Sequence, residues 1–218
     1  MSSVPPSGPV PAPASQPPAE DRGRPYHHGD LAAALLEAAG AILEEAGIVG
    51  LTLRAVARRA GVSHMAPAHH FGDLTGLLSE LAAVGFRRFS AELGTAGIET
   101  GGRGLDGMGR AYVGFARSHP ALFQLMFRSE RLDAERPALK QAFAEAGTML
   151  TRAAAGFEPG AGPPTLEQVA ASVRAWSLVH GYAMLLIDGR LEGALALPAP
   201  TEGTVDSDTL LRAVLASR

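Results

Sequence analysis

Apolar side chains return along this chain every three or four residues and nowhere keep up a sustained alternation of period two. A three-to-four repeat lays one apolar stripe along a helix, whereas a half-buried strand needs a repeat of two. The chain is therefore expected to be all-α. Leu31, Leu35, Ala38, Ile42 and Leu43 mark a first helix from about Asp30 to Ala46, with Gly47 as its stop. Thr52 is placed to cap a short second helix over Leu53–Ala60, Gly61 to break it, and Ser63 to cap a two-turn third helix ending near Phe71. Asp73 opens a long fourth helix to about Leu93, carried by Leu77, Leu78, Leu81, Val84 and Phe89.

Further helices are expected over Leu105–Ser118, Ala121–Phe127 and Pro137–Gly156. Thr165 and Gln168 form a capping-box pattern that opens another long helix to about Asp188, and Ser207–Ala216 reads as a terminal helix. Thr95–Gly107, Glu158–Pro164 and Leu191–Val205 read as loops from their Gly, Pro and polar content. Residues 1–25 hold Pro, Ala and Ser with almost no large apolar side chain, so a disordered tail is expected there. Arg22 and Arg24 at its end belong to a solvated linker or to a basic arm. The expected organisation is a tail (1–25), an N-terminal three-helix unit (26–73) and a helical body (74–218).

Composition narrows the function classes. The net charge over 218 residues is only −3, so contact with a polyanion requires a local basic patch. Cysteine is absent, which removes disulfides, thiol nucleophiles and Cys-based zinc sites, and fits a reducing cytoplasm. No secretory pattern opens the chain, and no apolar run approaches the roughly 18 residues of a membrane span. The run Val179–Ile187 is too short and contains His180. A soluble cytoplasmic protein with no membrane partner is expected.

The unit Thr52 to Ser63 carries the function. A short helix, a turn at Gly61 and a second capped helix make a helix-turn-helix. Ala57 is small enough for the two helices to cross closely, Gly61 allows the backbone reversal, and Val62 plugs the turn. Ser63 sets where the third helix begins, leaving its first-turn side chains free to enter a major groove.

From Tyr26 to about Phe89 the sequence resembles the TetR family of repressors. The matching runs are Leu51 to Arg54, Val56 to Ser63, and His70-Phe71-Gly72-Asp73 before Leu77 and Leu78. Tyr112 to Ala116, His119-Pro120, Leu125 to Phe127 and Trp176 to Gly181 resemble the C-terminal domain named for its Trp-His-Gly motif. The resemblance implies a sequence-specific repressor that works as a homodimer. Double-stranded operator DNA is its partner, and a small, hydrophobic effector in a C-terminal cavity releases it. The alternative is a ligand-independent DNA-binding dimer. The resemblance also assigns DNA roles. Arg54 reaches DNA from the second helix, Thr52 is placed near phosphate, with Arg58 or Arg59 expected to add a phosphate contact, and Ser63, His64, Met65 and His69 start and expose the recognition helix. His70 sits at a backbone-contacting position.

Two positions depart from the family pattern. Ala68, preceded by Pro67, replaces an aromatic, and Leu74 replaces a Lys after Asp73. Both remove expected phosphate contacts, and Pro67 is expected to distort the third helix. In the body, Tyr112, Phe115, Phe123, Met126, Phe127, Trp176 and His180 are the ligand-binding candidates. His180 lies four residues from Trp176 on one helical face and needs a partner if buried, either as a structural hydrogen bond or as a pocket's polar anchor. No nucleophile elbow, phosphate loop or dinucleotide glycine pattern is present, so no enzyme and no cofactor are expected. His64, His69 and His70 lack the three- or four-residue spacing of a helical metal pair, so no metal site is expected either.

Permanent charge near the reading head comes from Arg54, Arg58 and Arg59, with His27, His28, His64, His69 and His70 around them. An ordinary imidazole takes up a proton near pH ~6.5. Operator affinity is expected to rise as pH falls from about 8 to 6, and a titration that stays flat across that range would contradict this.

Overall fold

The computed structural model describes residues 28–99, 105–158, 160, 162–196 and 205–216. The expected tail, with Tyr26 and His27, lies outside the described residues, as do the middle of the 95–107 linker and most of the 191–205 stretch. In chain order the helices are α1 (His28–Gly50), α2 (Leu53–Arg59), α3 (Ala66–Phe71), α4 (Leu74–Glu99) and α5 (Leu105–Ser118). They are followed by α6 (Pro120–Phe127), α7 (Pro137–Ala155), α8 (Leu166–Ile187), the single turn α9 (Glu192–Leu195) and α10 (Ser207–Ala216). Among the described residues there is no strand, and the fold is all-α. No described helix is long and apolar enough to cross a membrane.

The helix signals act locally much as their chemistry dictates. Gly47 sits at φ 65° and breaks the regular geometry of α1 before its last residues. The Thr52 hydroxyl accepts the Ala55 amide at 3.1 Å and caps α2. Gly61 is left-handed at φ 68°, and the Val62 amide closes onto the Ala57 carbonyl at 3.0 Å, a Schellman-type stop. The Thr165 capping box forms with both of its hydrogen bonds.

Four expectations are corrected. The third helix begins at Ala66, not at Ser63: the Ser63 hydroxyl meets the Met65 amide only at 3.4 Å, and residues 63–66 form a turn before the helix. Pro67 therefore stands in the first turn of α3, where an amide has no helical partner to lose, and the helix is not distorted. The fourth helix continues past Leu93 to Glu99. The glycines there do not stop the helix, and a Cβ at Gly94 or Gly97 would meet Met149 Cε at 3.7 Å or Met108 Cγ at 3.4 Å, ordinary van der Waals distances. Packing outweighs the roughly 1 kcal/mol that each glycine costs a helix. Finally, the 191–205 stretch contains the helical turn α9.

Helix α4 is the spine. Its start packs against α1 and α3, and its length lies against α5, α6 and α7, with α8 closing over α5 and α7. Leu35, Leu43, Leu51, Val56 and Phe71 form the interior of the head, and Phe86, Phe89, Phe115, Phe123 and Met126 that of the body; all are buried. One apolar cluster runs through both without interruption. Each such side chain removed from water contributes about 1.5–3 kcal/mol.

Polar contacts fasten head to body where α4 begins. Arg136 Nε donates to Glu80 Oε1 at 2.8 Å, and its Nη1 donates to the Phe71 carbonyl at 3.3 Å. Ser79 Oγ accepts the Asp133 amide at 2.8 Å while donating to the Thr75 carbonyl at 2.7 Å. Glu44 on α1 accepts the Leu122 amide of α6 at 3.2 Å.

Gly76 is buried at this junction, and a Cβ there would fall 2.0 Å from the Phe71 carbonyl oxygen and 2.7 Å from Arg136 Nη1. Alanine would favour the helix by about 1 kcal/mol. Overpacking costs about 1–3 kcal/mol, and here the obstacle is backbone, so the clash should win. Gly76→Ala is expected to lower the thermal midpoint by a few degrees, about 2–4 °C per kcal/mol in a chain of this size. An unchanged or raised midpoint in a melting curve would show that the junction can yield.

Candidate nucleic-acid interface and ligand cavity

The helix-turn-helix buries one side and presents the other. Val56 and Ala57 of α2 and Pro67 and Phe71 of α3 face inward. Thr52, Arg54, Arg58, Ser63, His64, Met65 and His69 are exposed, and His70 is half-buried against Phe71. Met65 is 71% exposed, far from the ordinary state of a methionine. Arg54 and Arg58 make no hydrogen bond or ion pair among the described residues. Arg59, the third arginine expected to supply charge, is held by Glu45 of α1 through two hydrogen bonds, Nη1 to Oε2 at 2.5 Å and Nη2 to Oε1 at 2.6 Å. That fork holds the Glu45 carboxyl below its ordinary range and raises the guanidinium. Arg54 and Arg58 remain the uncommitted arginines of the described reading head.

Inside the body, the ligand-binding candidates separate into two groups. Phe115, Phe123 and Met126 are core, and none of them lines a described cavity. Phe127 is the hub of the aromatic cluster, with Phe86, Phe123 and His180 at ring-centre distances of 5.3, 4.8 and 4.8 Å. Tyr112, Phe127 and Trp176 line a narrow cavity of about 90 Å³ beneath α4. Tyr112 also lines a larger cavity of about 620 Å³ between α5, α7, α8 and α10. That volume falls within the range of small-molecule sites.

Leu93, Met108, Tyr112 and Leu150 line both cavities, so these are adjoining lobes. The larger lobe is walled mainly by Ala and Leu, with Asp106 and Arg174 as the charged residues among its described lining. Ser90, Leu93, Met108, Leu150 and Arg174 were not among the sequence candidates. Ser90 did leave a trace, because it stands four residues after Phe86 on the apolar stripe of α4, where a polar side chain is out of place.

His180 has its partner. Trp176 Nε1 donates to Tyr112 Oη at 3.1 Å, and Tyr112 Oη lies 2.8 Å from His180 Nδ1. The indole has only a proton to give and the phenol oxygen can accept it, so the arrangement that also finds an acceptor for the phenol's own proton has Tyr112 donating to Nδ1. His180 is thereby an acceptor at Nδ1 and carries its proton on Nε2. Burial lowers the imidazole's pKa, and burial pushes the Tyr112 phenol far above its ordinary range against the opposing bond from Trp176. Both groups are therefore neutral near pH 7. The geometry makes His180 a structural hydrogen-bond partner that lines neither lobe.

Comparisons with known proteins agree with this arrangement. Residues 35–81 match the family described as bacterial regulatory proteins, tetR family, and residues 105–209 match the tetracyclin repressor-like C-terminal domain. A protein of unknown function from Rhodococcus sp. RHA1 has the same fold, with 31% identity over 88% of this chain and 95% of its own and a TM-score of 0.70. SCO4313 is 22% identical over 86% of this chain and 94% of its own (TM-score 0.66). The multidrug binding protein EbrR, solved with imidazole, is 20% identical over 84% and 92% (TM-score 0.51). A search of curated proteins found no match. With the helix-turn-helix inside one matched region and the Tyr112–Trp176–His180 cluster inside the other, the chain belongs to the TetR family of DNA-binding transcriptional regulators.

Proposed function

We propose that the protein is a homodimeric repressor that holds a near-palindromic operator and lets it go when a small, mostly apolar effector enters the two-lobed cavity. One observation carries this reading. Helix α4 meets the head at Gly76 and Glu80, and the same helix lines the narrow lobe through Phe86, Phe89, Ser90 and Leu93. A ligand that prefers one placement of α4 therefore prefers one placement of the reading head. Moving such an equilibrium from 1:99 to 99:1 takes about 5.5 kcal/mol of differential binding.

On the DNA side, Arg54 and the exposed residues His64, Met65 and His69 read bases, and Thr52, Arg58 and His70 position the backbone. Thr52 Oγ1 is an acceptor in its cap, which leaves the hydroxyl proton for a phosphate. Ser63 shapes the turn that presents these side chains. Arg54→Ala should weaken operator binding roughly five- to a hundredfold without changing the melting curve. Glu45→Gln, by releasing Arg59, should strengthen binding and steepen its salt dependence by about one unit of slope. Operator titrations at several salt concentrations measure both. Normal binding by Arg54→Ala would remove that residue from the interface.

The homodimer reading draws on α8. Leu166, Val169, Val173 and Leu185 are exposed along one stripe, with the small residues Ala170, Ser177 and Gly181 among them. The opposite side, with Ser172, Val179, Tyr182 and Ala183, is buried in the body. An apolar stripe of this length on a helix is suited to a second copy of itself. A two-fold pair sets two recognition helices about one DNA turn apart, roughly 34 Å. Val173→Arg should yield a helical monomer in sedimentation and lose tight operator binding. A Val173→Arg protein that still sediments as a dimer would send the interface elsewhere.

A further inference from the structure

Ser90 Oγ is shielded from solvent and has no hydrogen-bond partner. The hydroxyls of Ser79, Thr95, Thr148, Thr151 and Ser172, also on helices, turn back to the carbonyl four residues earlier at 2.7–3.0 Å. Ser90 makes no such bond and stands on the wall of the narrow lobe. Tyr112 and Trp176, the other polar side chains on that wall, are already joined to each other and to His180. A buried hydroxyl in this state lacks a partner that solvent would otherwise provide. Water is a poor candidate, since an ordered water needs two to four polar partners and this wall offers one free group.

We infer that Ser90 Oγ anchors the effector, and that the effector is an elongated molecule whose buried end is uncharged, no wider than one ring, and bears one hydroxyl or carbonyl. The inference deepens the effector reading above and rests on it for the word effector. Size bounds that end: an apolar cavity of ~150 Å³ takes benzene, so a lobe of about 90 Å³ holds less than a whole ring, and a ring whose polar tip enters it projects into the adjoining lobe. Charge is excluded at this end because a single hydroxyl does not replace the solvation of an ion. Elongation follows from the shared wall, since Leu93, Met108, Tyr112 and Leu150 lead from the narrow lobe into the 620 Å³ lobe. The body of the molecule lies there against alanine and leucine, and any charged group it carries belongs at that end, near Asp106 and Arg174.

Calorimetric titration of the DNA-free protein with 4-butylphenol, butylbenzene and 4-butylbenzoate, in wild type and Ser90→Ala, tests this. The wild type should bind the phenol about three- to tenfold more tightly than butylbenzene, with the benzoate weaker than the phenol. Ser90→Ala should abolish the preference by weakening the phenol alone, and should melt no lower than wild type because only an unpaired group is lost. No binding of the phenol, equal binding of phenol and butylbenzene by wild type, or a preference that survives in Ser90→Ala overturns the anchor. Release of labelled operator by 4-butylphenol is followed in parallel. Ser90-dependent binding without release supports the anchor while counting against the effector reading. Operator release by another compound, with no Ser90-dependent preference among the probes, supports that reading and overturns the anchor.

Discussion

Helix α4 belongs to two interiors at once, and most of the structure is arranged around that constraint. Its first turns are packed by Phe71 and Leu77 into the head, and its later turns by Phe86, Phe89 and Leu93 into the body. Because protein interiors are close-packed, a rigid helix shared by two of them does not shift at one end without disturbing the other. The polar contacts at the junction sharpen this. Arg136 reaches from before α7 to Glu80 and to the last carbonyl of α3, so body and head meet in one guanidinium. Gly76 and Gly85 allow the close approaches, the first to the Phe71 carbonyl and the second to Met126, whose sulfur would lie 2.7 Å from an added Cβ.

The body's buried polar groups follow a simple rule, with one exception among the described residues. Where a donor or acceptor is buried among aromatic rings it is paired, as in the Trp176–Tyr112–His180 chain, and pairing fixes the tautomer as well as the position. Ser90 departs from the rule at the wall of a cavity. Satisfied groups specify the packing, while an unsatisfied one at an empty space is where a ligand has something to add.

Much of the fold is legible in the residues because helix formation is local. Thr52, Gly61 and the Thr165–Gln168 pair do their work within four or five residues of themselves, and α5, α6, α7, α8 and α10 begin and end within about a residue of where their caps and prolines place them. The errors have tertiary causes. The stretch from Thr95 reads as loop until α4, packed against α5 and α7, is seen to run on to Glu99, and Ser63 reads as a cap until the turn over residues 63–66 delays the helix to Ala66. The candidate sites were harder to read for the same reason. Tyr112, Phe127 and Trp176 look no different in sequence from Phe115, Phe123 and Met126, yet the first three line space and the others fill it.

The sequence alone determined the helical class, the order of the helices, the reading unit around Gly61 and the family. The class, the order and the reading unit depend on periodicity and capping, which act over a few residues, and the family on matching runs such as Val56 to Ser63. Only the tertiary structure decided which arginines are free, which aromatic residues border a cavity and what His180 bonds to. Those outcomes join residues distant along the chain: Glu45 and Arg59 are 14 apart, and Tyr112 and His180 are 68 apart. No local preference encodes such pairs; they exist because close packing of helices brings their side chains together and leaves Ser90 without a partner.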